Sequence, residues 1–155
     1  LDGLHPEMVI GDILDPPSLQ AALQGCELVF HVAAVSDYWR TPAERIYTVN
    51  VEGTRRVLAA ALEAGVERVV SIGVGRESSE RAVALSEQHE GVFCAVGIHP
   101  HDAGGYTPAD DASIADLGAH PRSGAVGECG LGVCREHAAR EARRRAFEAQ
   151  IGIAR

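Results

Sequence analysis

An α/β fold is expected for this 155-residue chain, on three observations. Short, nearly continuous apolar runs recur along it, as in parallel strands covered on both faces. Stretches with helical spacing lie between them, several opened by a capping residue and a proline. The apolar residues are mostly small: aromatics are only 5% of the chain, while apolar residues make up 46%. Such residues suit close helix-on-sheet packing.

Taken in order, the predicted strands are "EMVIGD" (7–12), "LVFHVAA" (28–34), "RVVSIGV" (68–74), "VFCAVGI" (92–98) and "GAVGEC" (124–129). Helices fill the intervals. Asp15-Pro16, Thr41-Pro42 and Thr107-Pro108 each set a capping side chain before a first-turn proline. Thr41 with Glu44 reads as a capping box. Beyond it Ile46, Val49, Val57, Leu58, Ala61 and Leu62 trace one helix face, and Gly65 is a stop signal. Further helices are predicted over about 78–89, over about 109–119, and from Glu136 to the C-terminus. In the last, Glu136/Arg140 and Glu141/Arg145 are spaced as surface ion pairs.

Strand followed by helix, five times over, predicts one α/β domain over 1–155 with about five parallel strands. It is either an open Rossmann-like sheet or a partial TIM-type barrel. An unclosed sheet has bare edges, so a homodimer through those edges is expected.

Composition narrows the function. The formal net charge is −8, so the chain as a whole gives no electrostatic funnel for nucleic acid. All fourteen basic residues are Arg; the absence of Lys removes P-loop, Schiff-base and Tyr–Lys chemistry. No apolar run is long enough for a membrane span, and no signal-peptide layout is present. Both ends read as cut from something longer. Cys26, Cys94, Cys129 and Cys134 follow no disulfide pattern and read as reduced thiols of a cytoplasmic protein. Cys129, Cys134 and His137 lack the second cysteine pair of a usual zinc site.

Residues 1–72 resemble extended short-chain dehydrogenases and sugar epimerases, through "VIGDILDPPSLQAALQGCELVFHVAA" and "IYTVNVEGTRRVLAAALEAGVERVV". The resemblance implies a dinucleotide fold, with Asp12 and Ile13 at the adenine, Ala33 and Ala34 beside the NAD(P) backbone, and Asn50 supporting the site. Departures go with it. The Gly-rich diphosphate loop is absent, no catalytic Lys exists, and Val74 stands at the catalytic Ser position. Read without the family, Asp12 ends a strand or starts a turn, His31 is a core histidine, and Asn50 bonds nearby backbone.

From about Ala64 onward the chain resembles the TatD family of metal-dependent hydrolases. The carriers are "AGVERVVSIGVGRESSERAVALSEQHEGVFCAVGIHPHDA", "AHPRSGAVGECGLG" and "REARRRAFEAQIGIAR". The resemblance implies a TIM-type barrel and metal-assisted cleavage of phosphodiesters with Mg²⁺, Mn²⁺ or Zn²⁺. It makes Glu128 a metal carboxylate and sets His99 and His101 on the phosphate side. Read without the family, His99 and His101 are two same-face residues that with Glu128 make three candidate metal donors. The family's Asp position reads Gly132, its HxH strand is missing, and further ligands fall beyond Arg155. Arg143, Arg144 and Arg145 read as a solvated helix face.

Three expectations follow, and no catalytic residue is assigned. The first is a TatD-like hydrolase, weak or inactive because ligands are missing, which takes a phosphodiester or nucleic-acid substrate only when metal is bound. The second is an NAD(P)-binding remnant. The third is a chimeric or designed fold without activity, its junction near 64–75 separating segments 1–72 and 73–155.

Overall fold

A computed structural model describes residues 7–132 and 137–155. The chain divides into two compact units, the first ending at Glu67 and the second starting at Arg68. That boundary lies inside the 64–75 segment where the two resemblances meet.

In the first unit, α1 (Pro16–Leu23) begins where expected: Asp15 caps it by accepting the Ser18 N–H at 3.2 Å. The long predicted helix is present in three consecutive parts, α2 (Ala43–Tyr47), a π-helical turn (Thr48–Gly53) and α3 (Thr54–Glu63). The Thr41–Glu44 capping box does not form; Pro42 takes the cap position and has no side chain to offer the helix N–H groups. Leu19, Val57 and Ala60 bury a small core between α1 and α3, with Ile13, Leu23 and Val29 against it.

The first two predicted strands are the main correction. Residues 7–12 and 28–34 are neither paired nor assigned as strands. Only one side of 28–34 finds protein: Val29 joins the core, whereas Leu28 is 67%, Phe30 82% and Val32 90% exposed. With no strand neighbour among the described residues there is no ladder, and an apolar run alone does not make a strand. The described residues therefore contain three strands instead of about five, and the Rossmann-like alternative gains no sheet in this unit.

The second unit holds those three strands: β1 (Val69–Ile72), β2 (Val92–Val96) and β3 (Ser123–Val126), all parallel, in the order β1-β2-β3. Val69 stands opposite Val92 and Cys94 opposite Ser123, with an irregularity at Cys94/Ala95. Helix α4 (Arg76–Gln88) packs on β1 and β2; α5 (Pro108–Gly118) and α6 (Arg140–Ile153) both contact β3. The α5 start matches its signal: the Asp110 carboxylate accepts the Thr107 N–H and hydroxyl at 2.7 and 2.8 Å. The last helix starts at Arg140 instead of Glu136; Cys134 and Glu136, and with them the zinc reading and the Glu136/Arg140 pair, lie outside the described residues. Arg144 pairs with Glu141 and Glu148, so the expected Glu141/Arg145 pair is replaced by its neighbour.

The core is centred on Val96, Cys94 and Ile114, all 0% exposed, with Ile98, Ala103 and Ala146 around them. No helix among the described residues is long and apolar enough to cross a membrane.

Candidate functional site

The carboxyl ends of the three strands are knitted together by backbone. The His99 N–H donates to Val74 O at 2.9 Å, Gly127 N–H to Val96 O at 2.9 Å, and Glu128 N–H to Gly73 O at 3.1 Å. The loops after β1, β2 and β3 thus share one edge, the place where parallel α/β sheets present their chemistry. Gly97 permits this closeness: a Cβ there would meet the Gly127 carbonyl carbon at 2.6 Å.

On that edge His99 Nε2 lies 3.5 Å from Glu128 Oε1. His99 is largely covered, with a quarter of its side chain exposed, while Glu128 is open to solvent. The His99 and His101 rings meet edge-on at 4.4 Å between centroids, and the His101 and His137 rings at 4.6 Å. The structure therefore brings together His99, His101 and Glu128, and adds His137.

The His101 N–H donates to His99 Nδ1 at 3.1 Å. The neutral His99 ring must then carry its proton on Nε2, the atom that faces Glu128. Among the described residues, no three His, Cys, Asp or Glu side chains are placed to hold a metal ion. As arranged, His99 and Glu128 place a ring nitrogen beside a carboxylate. Next in sequence, the Cys129 thiol is pushed up by burial, the opposite of an activated nucleophile.

Two buried side chains hold the loop that carries His99. Ser79 Oγ accepts the Gly97 N–H at 3.1 Å and donates to Gly97 O at 3.3 Å. One residue later, Gln150 Oε1 accepts the Ile98 N–H at 2.8 Å and Nε2 donates to Ile98 O at 3.2 Å. Arg143 braces the Glu128 loop, donating from Nη1 to Gly132 O at 2.8 Å. At 2% exposure it is buried, which corrects its reading as part of a solvated face. The signal was present: Arg143, Ala146 and Gln150 fall on one helical stripe, two polar residues sharing a face with a core alanine.

The dinucleotide candidates in the first unit bond to their own backbone. Asp12 Oδ1 accepts the Leu14 N–H at 2.8 Å in the turn before α1. Ile13 packs against the core and Gly53. Asn50 grips Val35, accepting its N–H at 2.7 Å and donating to its carbonyl at 3.0 Å. Ala33 and Ala34 are exposed. His31 Nε2 shares a 2.9 Å hydrogen bond with the Thr54 hydroxyl.

A parallel α/β unit with a histidine–carboxylate pair at its strand ends is the class that the second unit defines. The family model "TatD related DNase" matches residues 30–155, and the chain belongs to that family. The match takes in residues 30–72 of the segment expected above to be dehydrogenase-like, which corrects that expectation there. Among curated relatives, the "3'-5' ssDNA/RNA exonuclease TatD" of Escherichia coli (strain K12) is 37% identical over 98 residues, 63% of this chain and 38% of that protein. The protein of the same name from Musicola paradisiaca (strain Ech703) is 40% identical over 100 residues, again 63% of this chain and 38% of the relative. The chain thus spans less than two-fifths of the length of these relatives.

Proposed function

We propose that the chain acts on phosphodiesters of single-stranded nucleic acid, through the edge that carries His99, His101 and Glu128. The observation that supports this most directly is the His99–Glu128 approach at 3.5 Å on the shared strand edge. The Nε2–H of His99 can donate to a non-bridging phosphoryl oxygen, and its Nδ1 bond to His101 fixes the direction of that donation. Glu128, exposed beside it, can accept a hydrogen bond from a water and orient it. Divalent-metal dependence is part of the same proposal and derives from the family resemblance.

The test is release of nucleotides from labelled single-stranded oligonucleotides with Mg²⁺, Mn²⁺ or chelator. Glu128→Ala should abolish release and His99→Ala should reduce it by about 10²-fold or more. Undiminished release by Glu128→Ala would remove the edge from the chemistry.

We propose no NAD(P) site, because Asp12 and Asn50 are committed to backbone and residues 7–34 form no strand edge. The family match runs from residue 30 to residue 155, across the 64–75 segment, so we do not propose a junction between two families there. Among the described residues, strands β1 and β3 each pair on one side only, which supports the homodimer through sheet edges; light scattering after size exclusion would sink it by returning only monomer at high concentration. A cytoplasmic setting is supported by free thiols at Cys26, Cys94 and Cys129.

A further inference from the structure

We propose that residues 28–34 of the first unit are where a second copy of this chain docks, antiparallel and strand to strand about His31. The proposal is independent of the nuclease reading. It also uses a different surface from the β1 and β3 edges, which belong to the second unit.

The segment has the layout of a strand without a partner. Its burial alternates: Val29 joins the small core and His31 bonds Thr54, whereas Leu28, Phe30 and Val32 are 67%, 82% and 90% exposed. A period of two is that of a strand lying with one face on protein. Among the described residues, no backbone N–H or C=O group of 28–34 has a hydrogen-bond partner. Main-chain groups left in this state are a template for another strand, and a run of bare apolar side chains beside them marks an interaction surface.

The order of side-chain sizes selects a second copy as the occupant. Paired antiparallel with itself about His31, "LVFHVAA" sets Leu28 opposite Ala34, Val29 opposite Ala33 and Phe30 opposite Val32. Each larger residue meets a smaller one, and the twofold axis repeats every pair. Phe30 against Val32 joins an aromatic ring to a β-branched side chain, a favourable cross-strand pair. A parallel pairing in register would instead crowd Phe30 on Phe30 and leave the alanines facing each other. Charge agrees with the antiparallel register. No Asp, Glu or Arg lies between Glu27 and Asp37, and Glu27 falls opposite Val35. Two chains of net charge −8 therefore meet here without opposed carboxylates. A charged partner, nucleic acid or a basic peptide, finds no group in 28–34 to pair with.

The test is sedimentation velocity of the full chain across a wide range of concentration, with circular dichroism to report whether each variant folds. Wild type should pass from monomer to dimer as concentration rises. Val32→Glu and Phe30→Lys, both at exposed positions, should each keep the fold and weaken dimerisation about tenfold or more, because each disturbs two cross-strand pairs per dimer. Mixing the two variants should restore a dimer that contains one of each, since the new charges are opposite in sign and face each other in this register. Leu62→Glu, at an exposed apolar position of α3 outside the segment, should dimerise as wild type. The proposal is overturned by a wild type that stays monomeric at the highest concentration, or by a mixture of the two variants that remains monomeric. A Val32→Glu variant that dimerises as wild type overturns it as well, and moves the contact to another surface such as the β1 and β3 edges. Loss of the dimer in Leu62→Glu does the same, by showing that the contact is not made through 28–34.

Discussion

Residues 28–34, "LVFHVAA", and 92–98, "VFCAVGI", have almost the same apolar pattern. The second contains β2, central in a three-stranded sheet, with Cys94 and Val96 wholly buried. The first has one side against a small core and leaves Phe30 and Val32 more than four-fifths exposed. What separates them is neighbours. β2 has a parallel partner on each edge and α4 across its face, while 28–34 has no ladder partner among the described residues. An apolar run permits a strand, and the ladder makes one.

Core truncations should show this difference most strongly. Ile114 is fully buried in the second unit, and Ile10 of the first is 99% exposed. Ile114→Ala should cost about 2–5 kcal/mol in transfer and cavity terms. Ile10→Ala should stay within about 0.5 kcal/mol of wild type. Denaturant unfolding of both variants measures the contrast. A similar loss at both positions would mean that Ile10 has a covering partner in solution, and the comparison between the two runs would fail.

Two amide side chains sharpen the comparison at smaller scale. Gln150 and Asn50 perform the same task, each holding both backbone polar groups of one residue, Ile98 and Val35 respectively. Gln150 is 1% exposed, so water cannot replace it. Gln150→Leu strands two buried groups at about 1–3 kcal/mol each and releases the segment before His99. Asn50 is only half-buried, and Asn50→Leu should cost about 1 kcal/mol because solvent can reach Val35. Urea titrations give the energies, and the His99 imidazole resonances report the loop. Unchanged His99 resonances in Gln150→Leu would show that the clamp does not position the site.

These contrasts mark what was legible in the sequence. The Val-rich runs at 68–74 and 92–98, and the Asp15 and Thr107 caps, could be read because their causes are local. The "GIHPH" and "GEC" segments could be placed on one edge because parallel strands end together. Gln150 and Ser79 could not be found, since each acts on a residue far away in sequence: Gln150 lies 52 positions from Ile98 and Ser79 18 from Gly97. Phe30 misled for the complementary reason. A strand's neighbours are non-local, and residues 28–34 carry no mark of whether a neighbour will be there.

The smallest effect concerns pH and again divides the units. Tyr38 and Tyr47 in the first unit are exposed, whereas Tyr106 in the second is 7% exposed and donates its hydroxyl to Asp111. Burial, then that hydrogen bond, then the negative charge of Asp111, raise the Tyr106 hydroxyl far above its ordinary value of 10.0. A raised folded-state value means that the native protein holds this proton more tightly than the unfolded chain does. The resulting stability is fully present below about pH 10 and is lost as pH rises above it toward the folded value, because the unfolded chain ionises first. Tyr106→Phe keeps the ring in the core and removes the ionisable group. It should therefore lower stability slightly at pH 7, where a hydrogen bond is lost. It should also flatten the decline in melting temperature between about pH 9.5 and 11. A variant whose alkaline decline is as steep as that of wild type would assign this sensitivity to another group.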